Sequence, residues 1–147
     1  MSTVEPDRIE AKLGKLESYL QGLDEKQGVS LATYRSDRDL QDIVERRFEK
    51  AIQASIDIAS HLVASRSTRE PTSYRDVFTI LADEGLVDVD VAEEMAEMAG
   101  FRNVLAHDYA GIDHERVHAH LQDLERFRRF AEAIHGSIKA DDGSSDR

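Results

Sequence analysis

The sequence contains no cysteine, which excludes disulfides, thiolate zinc sites and cysteine nucleophiles. It also lacks any apolar run near the ~18 residues that a membrane-spanning helix needs. The first residues, Met1 to Arg8, lack the apolar segment of a signal peptide. We therefore expect a cytoplasmic protein that does not enter a membrane. A glycine-rich phosphate loop, a serine nucleophile elbow and a paired-carboxylate site are also missing from the sequence.

Lysine is scarce and the net charge is −11, so positive charge comes mainly from arginine. A strongly acidic chain binds nucleic acid poorly in general, because phosphate contacts require local positive charge. An acidic, lysine-poor surface is also a common way to stay solvated in a salt-rich cytoplasm. The charge therefore weakens the case for a nucleic-acid ligand without removing it.

The hydrophobic pattern predicts an all-α protein. With 147 residues and 40% hydrophobic residues, the chain fits one domain with a continuous core. Apolar residues recur at helical spacing in five segments, at about 9–23, 38–65, 73–84, from 88 or 90 through 101, and 114–135. A short helix is expected around 31–34. We predict an antiparallel four-helix bundle with an additional short helix over residues 1–138, and a disordered polar tail over 139–147.

Chemistry is concentrated in the stretch from Arg102 to Tyr109. Arginine offers a planar, permanently charged fork that grips phosphate, and His107 has the side chain best suited to moving protons near neutral pH. Together they suffice to cleave RNA without a metal. A base removes the proton of the ribose 2′-hydroxyl, that oxygen attacks the adjacent phosphorus, and a cation stabilises the developing charge.

Helix geometry limits how this site is assembled. Positions five residues apart are about 140° apart on a helix, so Arg102 and His107 do not share a face. Asn103 and His107, four residues apart, do share one, and the amide can orient the imidazole. Either the helix ends or distorts near Ala106, or two copies of the segment meet across a two-fold axis. We favour the homodimer with a composite site. The alternative is structural, with Arg102 and Asn103 capping carbonyls and His107 favoured by the helix dipole.

The spacing Arg102-x4-His107-x-Tyr109 resembles the signature of the HEPN superfamily, and more narrowly its HepT branch. The flanks are similar too. A long second helix carries a charged start at 45–47 and an Ile-Asp-Ile-Ala centre at 56–59. The entry to the third helix, 71–74, has the family's Pro-x-Ser-Tyr form, and Ile-Asp at 112–113 precedes the last helix. The resemblance covers about residues 8–138.

The resemblance implies a toxin of a two-gene toxin–antitoxin system that acts as a metal-independent ribonuclease on tRNA or mRNA. The family's catalytic pair falls on Arg102 and His107, and its motif asparagine on Asn103. The implied partner is a minimal nucleotidyltransferase, MntA, which inhibits the toxin by transferring AMP to the motif tyrosine, here Tyr109. An adenylyl group adds a phosphate charge and bulk at the mouth of a site built for RNA.

Further cations could line the same groove, namely Arg35, Arg38, Arg46 and Arg47 around the start of the second long helix. Arg46 is the preferred supporting residue. A salt-bridge ladder of Arg38 and Arg46 with Asp42 is the structural alternative, since both pairs are four residues apart.

Three other interpretations stay open. Asp57 and His61 are spaced for a surface hydrogen bond or ion pair. His114 and His118 have the spacing of two metal ligands, but no third ligand is evident, so we expect neither a metal nor a cofactor. The alternative function is that of a non-catalytic helical partner, or a nucleotide-binding subunit, of a nucleotidyltransferase.

Overall fold

Seven helices account for the described part of the computed structural model, which covers residues 5–107 and 111–145, with side chains described for 7–106 and 111–139. In chain order they are α1 (Glu5–Asp24), α2 (Leu31–Ser36), α3 (Arg38–Arg66), α4 (Tyr74–Asp83), α5 (Val89–His107), α6 (His114–Gln122) and α7 (Glu125–Ser145). Within these ranges there is no strand, and the all-α prediction is confirmed.

Short polar side chains begin four of the helices, because each accepts a hydrogen bond from an otherwise unpaired backbone N–H. The distances from the backbone nitrogens to the capping oxygens are 3.1 Å for Ser30, 3.0 Å for Asp37, 3.0 Å for Ser73 and 3.1 Å for Asp113. Helix α4 ends at Asp83, and Gly85 turns the chain just beyond it with a φ of +77°, a conformation that side chains disfavour.

Helix α3 lies at the centre of the bundle and packs against α1, α4 and α5. Its long apolar face is buried, as is the predicted stripe of α1 from Ile9 to Leu23. Burying each such side chain contributes about 1.5–3 kcal/mol, so the packing of these faces dominates the stability of the fold. Met95 and Met98 of α5 are buried in the same core, as their helical spacing predicts.

A close approach fixes α1 on α3. The Arg47 guanidinium donates a hydrogen bond of 2.6 Å to the carbonyl oxygen of Gly22. A Cβ at Gly22 would lie 3.3 Å from Cδ of Arg47, so glycine leaves the room that this side chain needs. The contact joins the end of α1 to the start of α3, and the two helices therefore run antiparallel.

The last predicted helix is wrong in one respect, because the structure divides it into α6 and α7. The break falls at Asp123, whose backbone is extended and whose carboxylate accepts a hydrogen bond of 3.2 Å from the Glu125 nitrogen. This carboxylate caps the new helix, while Leu121, Leu124 and Phe127 all remain buried. The apolar spacing continues across the break, which is why the pattern did not reveal it.

Helix α7 continues through Ser145, although the sequence led us to expect a disordered tail from 139 onwards. The domain boundary at 138 therefore stays a prediction, since no break in the backbone marks it. None of the described helices is long and apolar enough to cross a membrane.

Candidate functional site

Arg102 lies in α5, directly after the buried Phe101 that anchors this turn in the core. Its side chain is partly buried, and its Cζ lies 5.9 Å from the centroid of the Tyr74 ring, a cation–π contact. Its Nε is buried and has no hydrogen-bond partner in the described part of the chain. Among the described residues it forms no ion pair. The guanidinium is thus positioned by an aromatic ring and keeps its charge for a ligand.

This guanidinium lines a groove of about 260 Å³ between α1, α3 and α5, which we call the Arg102 groove. Its lining residues are Lys12, Lys15, Tyr19, Arg46, Glu49, Lys50, Gln53, Ala54, Asp57 and Arg102. Residues of α1 and α3 form the two long walls, because the helices lie side by side. Five of the side chains are cationic and two are carboxylates, in a chain whose net charge is −11.

Arg46, the predicted supporting residue, shares this groove with Arg102. Its Nη1 lies 3.4 Å from Oε2 of Glu49, one turn further along α3, and its side chain is 66% exposed. The predicted ladder through Asp42 is therefore replaced at Arg46 by a pair with Glu49. A pair this exposed holds its partners weakly, so Arg46 remains able to contact a ligand.

The other arginines predicted to line the groove lie elsewhere, which corrects the sequence interpretation. Arg47 turns inward to Gly22, because consecutive residues point about 100° apart on a helix. Arg35 pairs with Glu115 of α6 at 3.1 Å. Arg35 and Arg38 line a separate cavity of about 430 Å³ beside Glu45.

Asn103 does not line the Arg102 groove either. It is exposed and lines a second cavity, of about 500 Å³, with residues that include Ser60, Ser73 and Tyr74. Tyr74 stands between the two cavities, since the Arg102 guanidinium lies over its ring. The structure thus brings Arg46 and Arg102 together and places Asn103 on a different side of α5.

A family model described as ribonuclease HepT-like matches residues 9–134 of the chain. The chain belongs to the HepT-like ribonuclease family. This confirms the resemblance to the HepT branch of the HEPN superfamily that the motif and its flanks indicated.

Two curated HepT relatives carry names that state an activity. An mRNA nuclease HepT from Shewanella oneidensis is 34% identical over 98 residues, which cover 64% of this chain and 74% of the relative. A tRNA nuclease HepT from Aphanizomenon flos-aquae is 31% identical over 117 residues, covering 80% of each chain. By their names, one of these relatives is a nuclease of mRNA and the other is a nuclease of tRNA.

A solved structure of a HepT-like protein has a similar fold. It holds the tri-AMPylated HEPN toxin of Shewanella oneidensis in complex with an MNT antitoxin. The TM-score is 0.79 at 27% identity, covering 87% of this chain and 96% of that one. The all-helical HepT-like fold therefore occurs in a toxin–antitoxin complex.

The remaining HepT motif residues are only partly described. Helix α5 includes Ala106, and its last residue is His107, so positions 102 and 107 both lie within the helix. The angle of about 140° between positions 102 and 107 therefore persists. The side chain of His107 and the whole of Tyr109 lie outside the described residues, and their roles stay predictions.

The histidines of α6 are engaged in packing contacts. His118 Nε2 lies 2.8 Å from the carbonyl oxygen of Val29, and the His114 ring packs edge-on against Tyr34 at a centroid distance of 6.0 Å. In the described part of the chain, no group of three potential ligands could hold a metal ion. The described side chains therefore do not supply the third ligand that the sequence lacked.

Two residues with shifted pKa values, His120 and Glu45, lie outside the groove. Burial lowers the pKa of His120 to about 4, helped by the nearby charges of Arg126 and Arg116. Burial raises the pKa of Glu45, and Asp42 and Glu49 raise it further. Neither residue lines the Arg102 groove, so neither shift bears on chemistry there.

Sequence reasoning missed the lysines of the groove and its aromatic residue. Lys12, Lys15 and Tyr19 are spaced i, i+3 and i+7, so they share one face of α1, and Lys50 follows Arg46 by four residues on α3. That polar periodicity was available in the sequence. Asp57, expected to pair with His61, instead accepts a hydrogen bond of 2.9 Å from Gln53.

Proposed function

We propose that this HepT-like chain is the toxin of a toxin–antitoxin pair and a metal-independent endoribonuclease. The observation that carries the proposal is the Arg102 guanidinium, which faces a cationic groove and forms no ion pair among the described residues. A guanidinium that contacts a ring and has no ion-pair partner among the described residues suits an anionic phosphate. The names of the two HepT relatives, both nucleases of RNA, support the same substrate class.

In the proposed reaction, His107 accepts the proton of the ribose 2′-hydroxyl while that oxygen forms a bond to the adjacent phosphorus. The bond from phosphorus to the 5′-oxygen breaks, and that oxygen takes up a proton. The products are a 2′,3′-cyclic phosphate and a free 5′-hydroxyl. Arg102 stabilises the extra negative charge on the phosphoryl oxygens, with Arg46 as a second cation and Asn103 orienting the imidazole.

We also propose that the site is composite, with Arg102 of one protomer facing His107 of its partner. Helix α5 extends through His107, and backbone positions 102 and 107 of one helix are about 140° apart. A two-fold axis beside α5 pairs the segment with its own copy, as isologous dimers require.

Inhibition is proposed to act through Tyr109, two residues after His107 in the motif. An MntA-like nucleotidyltransferase transfers AMP from ATP to the tyrosine oxygen, with release of pyrophosphate and of the hydroxyl proton. The AMPylated HEPN toxin in complex with its MNT antitoxin supports this assignment. The attached phosphate then competes with RNA for the guanidinium of Arg102.

The proposal is tested by incubating the purified chain with tRNA and mRNA in excess EDTA, beside Arg102→Ala and His107→Ala variants. We expect cleavage by the wild-type chain alone, products that end in cyclic phosphate, and no cut in DNA of equal sequence, which lacks the 2′-hydroxyl. Cleavage that disappears on chelation, or that survives both substitutions, contradicts the mechanism. AMP on Tyr109 without any RNA cleavage by the unmodified chain supports a non-catalytic partner instead.

A further inference from the structure

Positive charge in this protein is unevenly distributed. Only five lysines occur in the sequence, and three of them, Lys12, Lys15 and Lys50, line the Arg102 groove. With Arg46 and Arg102 they make a concentration of cations in a chain whose net charge is −11. An acidic protein that gathers its scarce lysines in one groove attracts anions to that groove and repels them elsewhere.

The cations lie in two rows. Lys12 and Lys15 lie on one face of α1, and Arg46 and Lys50 lie on the facing edge of α3. The antiparallel packing of α1 on α3, fixed by the Arg47 contact, holds the rows on opposite walls. A chain of phosphates that lies between the walls therefore has cations on both sides, with Arg102 of α5 in the same groove.

The lysines are available to a ligand. In the described part of the chain, Lys12, Lys15 and Lys50 form no ion pair. Two carboxylates share the groove: Glu49 pairs with Arg46, and Asp57, which accepts a hydrogen bond from Gln53, keeps its charge. The free cations therefore outnumber the free carboxylates in the groove.

An aromatic ring completes the groove. Tyr19 is partly buried, packs against the core on one side and lines the groove on the other. It follows Lys15 by one helical turn, so its ring lies beside the row of α1 cations. Cations that track a backbone next to an aromatic surface are the arrangement with which proteins hold unpaired nucleotides.

We propose that the Arg102 groove is a subsite for single-stranded RNA. Lys12, Lys15 and Lys50 bind phosphates of nucleotides next to the scissile one, and Tyr19 stacks on one of their bases. The proposal rests on the proposed ribonuclease function, which it deepens by naming the strand state of the substrate. Base stacking on Tyr19 requires a base that is out of its duplex, which is why loops and unpaired strands are the expected substrates.

The test measures binding separately from cleavage. A His107→Ala background prevents cleavage, and a labelled single-stranded RNA is titrated at several salt concentrations. Lys12→Gln with Lys15→Gln is compared with Lys26→Gln with Lys139→Gln, which removes the same charge outside the groove. The measured quantity is the slope of log K for binding against log salt concentration. Each lost phosphate contact reduces its magnitude by about 0.7 for single strands, so we expect a reduction of about 1.4 in the groove variant. The control variant keeps a slope close to that of its parent.

A second pair of variants tests the ring. Tyr19→Phe should bind as the parent does, whereas Tyr19→Ala should bind about tenfold more weakly, within the range measured for one stacked base. The conservative variant separates stacking from loss of the fold. The same RNA annealed to its complement should bind more weakly than the single strand, and this difference should shrink in Tyr19→Ala.

Each outcome decides the proposal independently of the proposed function. Equal salt slopes for the groove and control variants overturn the subsite, even if the chain cleaves RNA. Equal binding of single and double strands overturns the stacking step. Groove variants that release the antitoxin but keep RNA binding assign the surface to a protein partner and also overturn it. Binding that depends on the groove, in a chain that proves not to cleave RNA, supports the subsite while the ribonuclease proposal fails.

Discussion

The Arg102 groove and helix α7 both carry arginines, yet the residues opposite them differ. On α7, Arg126 lies 3.0 Å from Glu97, Arg128 lies 2.6 Å from Asp24, and Arg129 lies 2.6 Å from Glu94. These contacts tie α7 to α5 and α1. In the groove, by contrast, Arg102 forms no ion pair within the described residues and rests on an aromatic ring. The same residue type thus stabilises the fold at one place and stays available for a ligand at the other.

The different pairing of arginines in the groove and on α7 also bears on the acidic composition of the chain. Carboxylates neutralise the arginines of α7, so this helix has no excess positive charge from them. The groove, by contrast, keeps its excess of cations over carboxylates. Excess positive charge in the groove favours phosphate there, against the overall field of an acidic molecule. A net charge of −11 is therefore compatible with an RNA substrate.

The largest expected effect distinguishes the two sets of arginines by activity. Arg102→Ala removes a donor and a charge from the proposed transition state, and we expect kcat for RNA cleavage to fall about 10²- to 10³-fold. The free energy of unfolding should change little, because no ion pair within the described residues is lost. Arg126→Ala on α7 is the matched control and should leave kcat within about twofold of the wild type. A similar loss of kcat in both variants contradicts the assignment of Arg102 to the site and of Arg126 to the fold.

A smaller effect concerns the pH dependence of stability. It arises from His120, whose pKa is lowered in part by the charge of Arg126 on α7. The pKa of His120 is lowered to about 4 by burial and by the charges of Arg126 and Arg116. The folded protein favours the neutral ring, whereas the unfolded chain binds a proton near pH 6.5. Stability is therefore present above pH 6.5 and is lost as the pH falls toward 4.

Urea unfolding of the wild type and of His120→Phe over this range measures the effect. The ring of His120 packs against Phe101 at a centroid distance of 4.4 Å, which phenylalanine can preserve. After allowance for partial exposure, we expect the wild type to lose about 1–2 kcal/mol more than the variant between pH 6.5 and 4. If the unfolding free energies of the two proteins change equally with pH, the His120 ring does not contribute to the pH dependence of stability.

The smallest expected effect concerns the stability that α7 arginines provide. Arg129 contacts both Glu94 and Asp90, at 2.6 Å and 2.8 Å. Its replacement by alanine leaves two carboxylates of α5 without their partner, and we expect a loss of about 1 kcal/mol in unfolding free energy. RNA cleavage well below the melting temperature should not change. A lower kcat at full folding assigns Arg129 to the site and breaks the comparison.

The helices followed from the sequence because caps and periodicity agree locally. Ser30, Asp37 and Ser73 cap helices that begin close to the predicted starts at 31, 38 and 73. The break at Asp123 did not follow, because Leu121, Leu124 and Phe127 keep one continuous apolar spacing on either side of it. A single residue that caps a new helix leaves the hydrophobic pattern unchanged.

The groove was predictable only in part. The motif identified Arg102, and the cluster of arginines at the start of the second long helix identified Arg46 as a candidate. Arg47, adjacent in sequence, points toward Gly22, and only the packed structure distinguishes the two. Lys12 and Lys15 lie about 90 residues from Arg102 in the chain, so no local pattern relates them to it. Long-range packing of α1 on α3 creates that relation.

The central claim is that two chains build one RNA-cleaving site from Arg102 and His107, and mixing two inactive variants tests it most directly. In a mixed dimer of Arg102→Ala and His107→Ala, one composite site carries both substitutions and the other carries none. Equal amounts, unfolded together and refolded, should recover about a quarter of the wild-type cleavage rate in EDTA. Each variant alone should stay inactive. A mixture as inactive as its parts, in dimers shown to have exchanged subunits, contradicts the composite site.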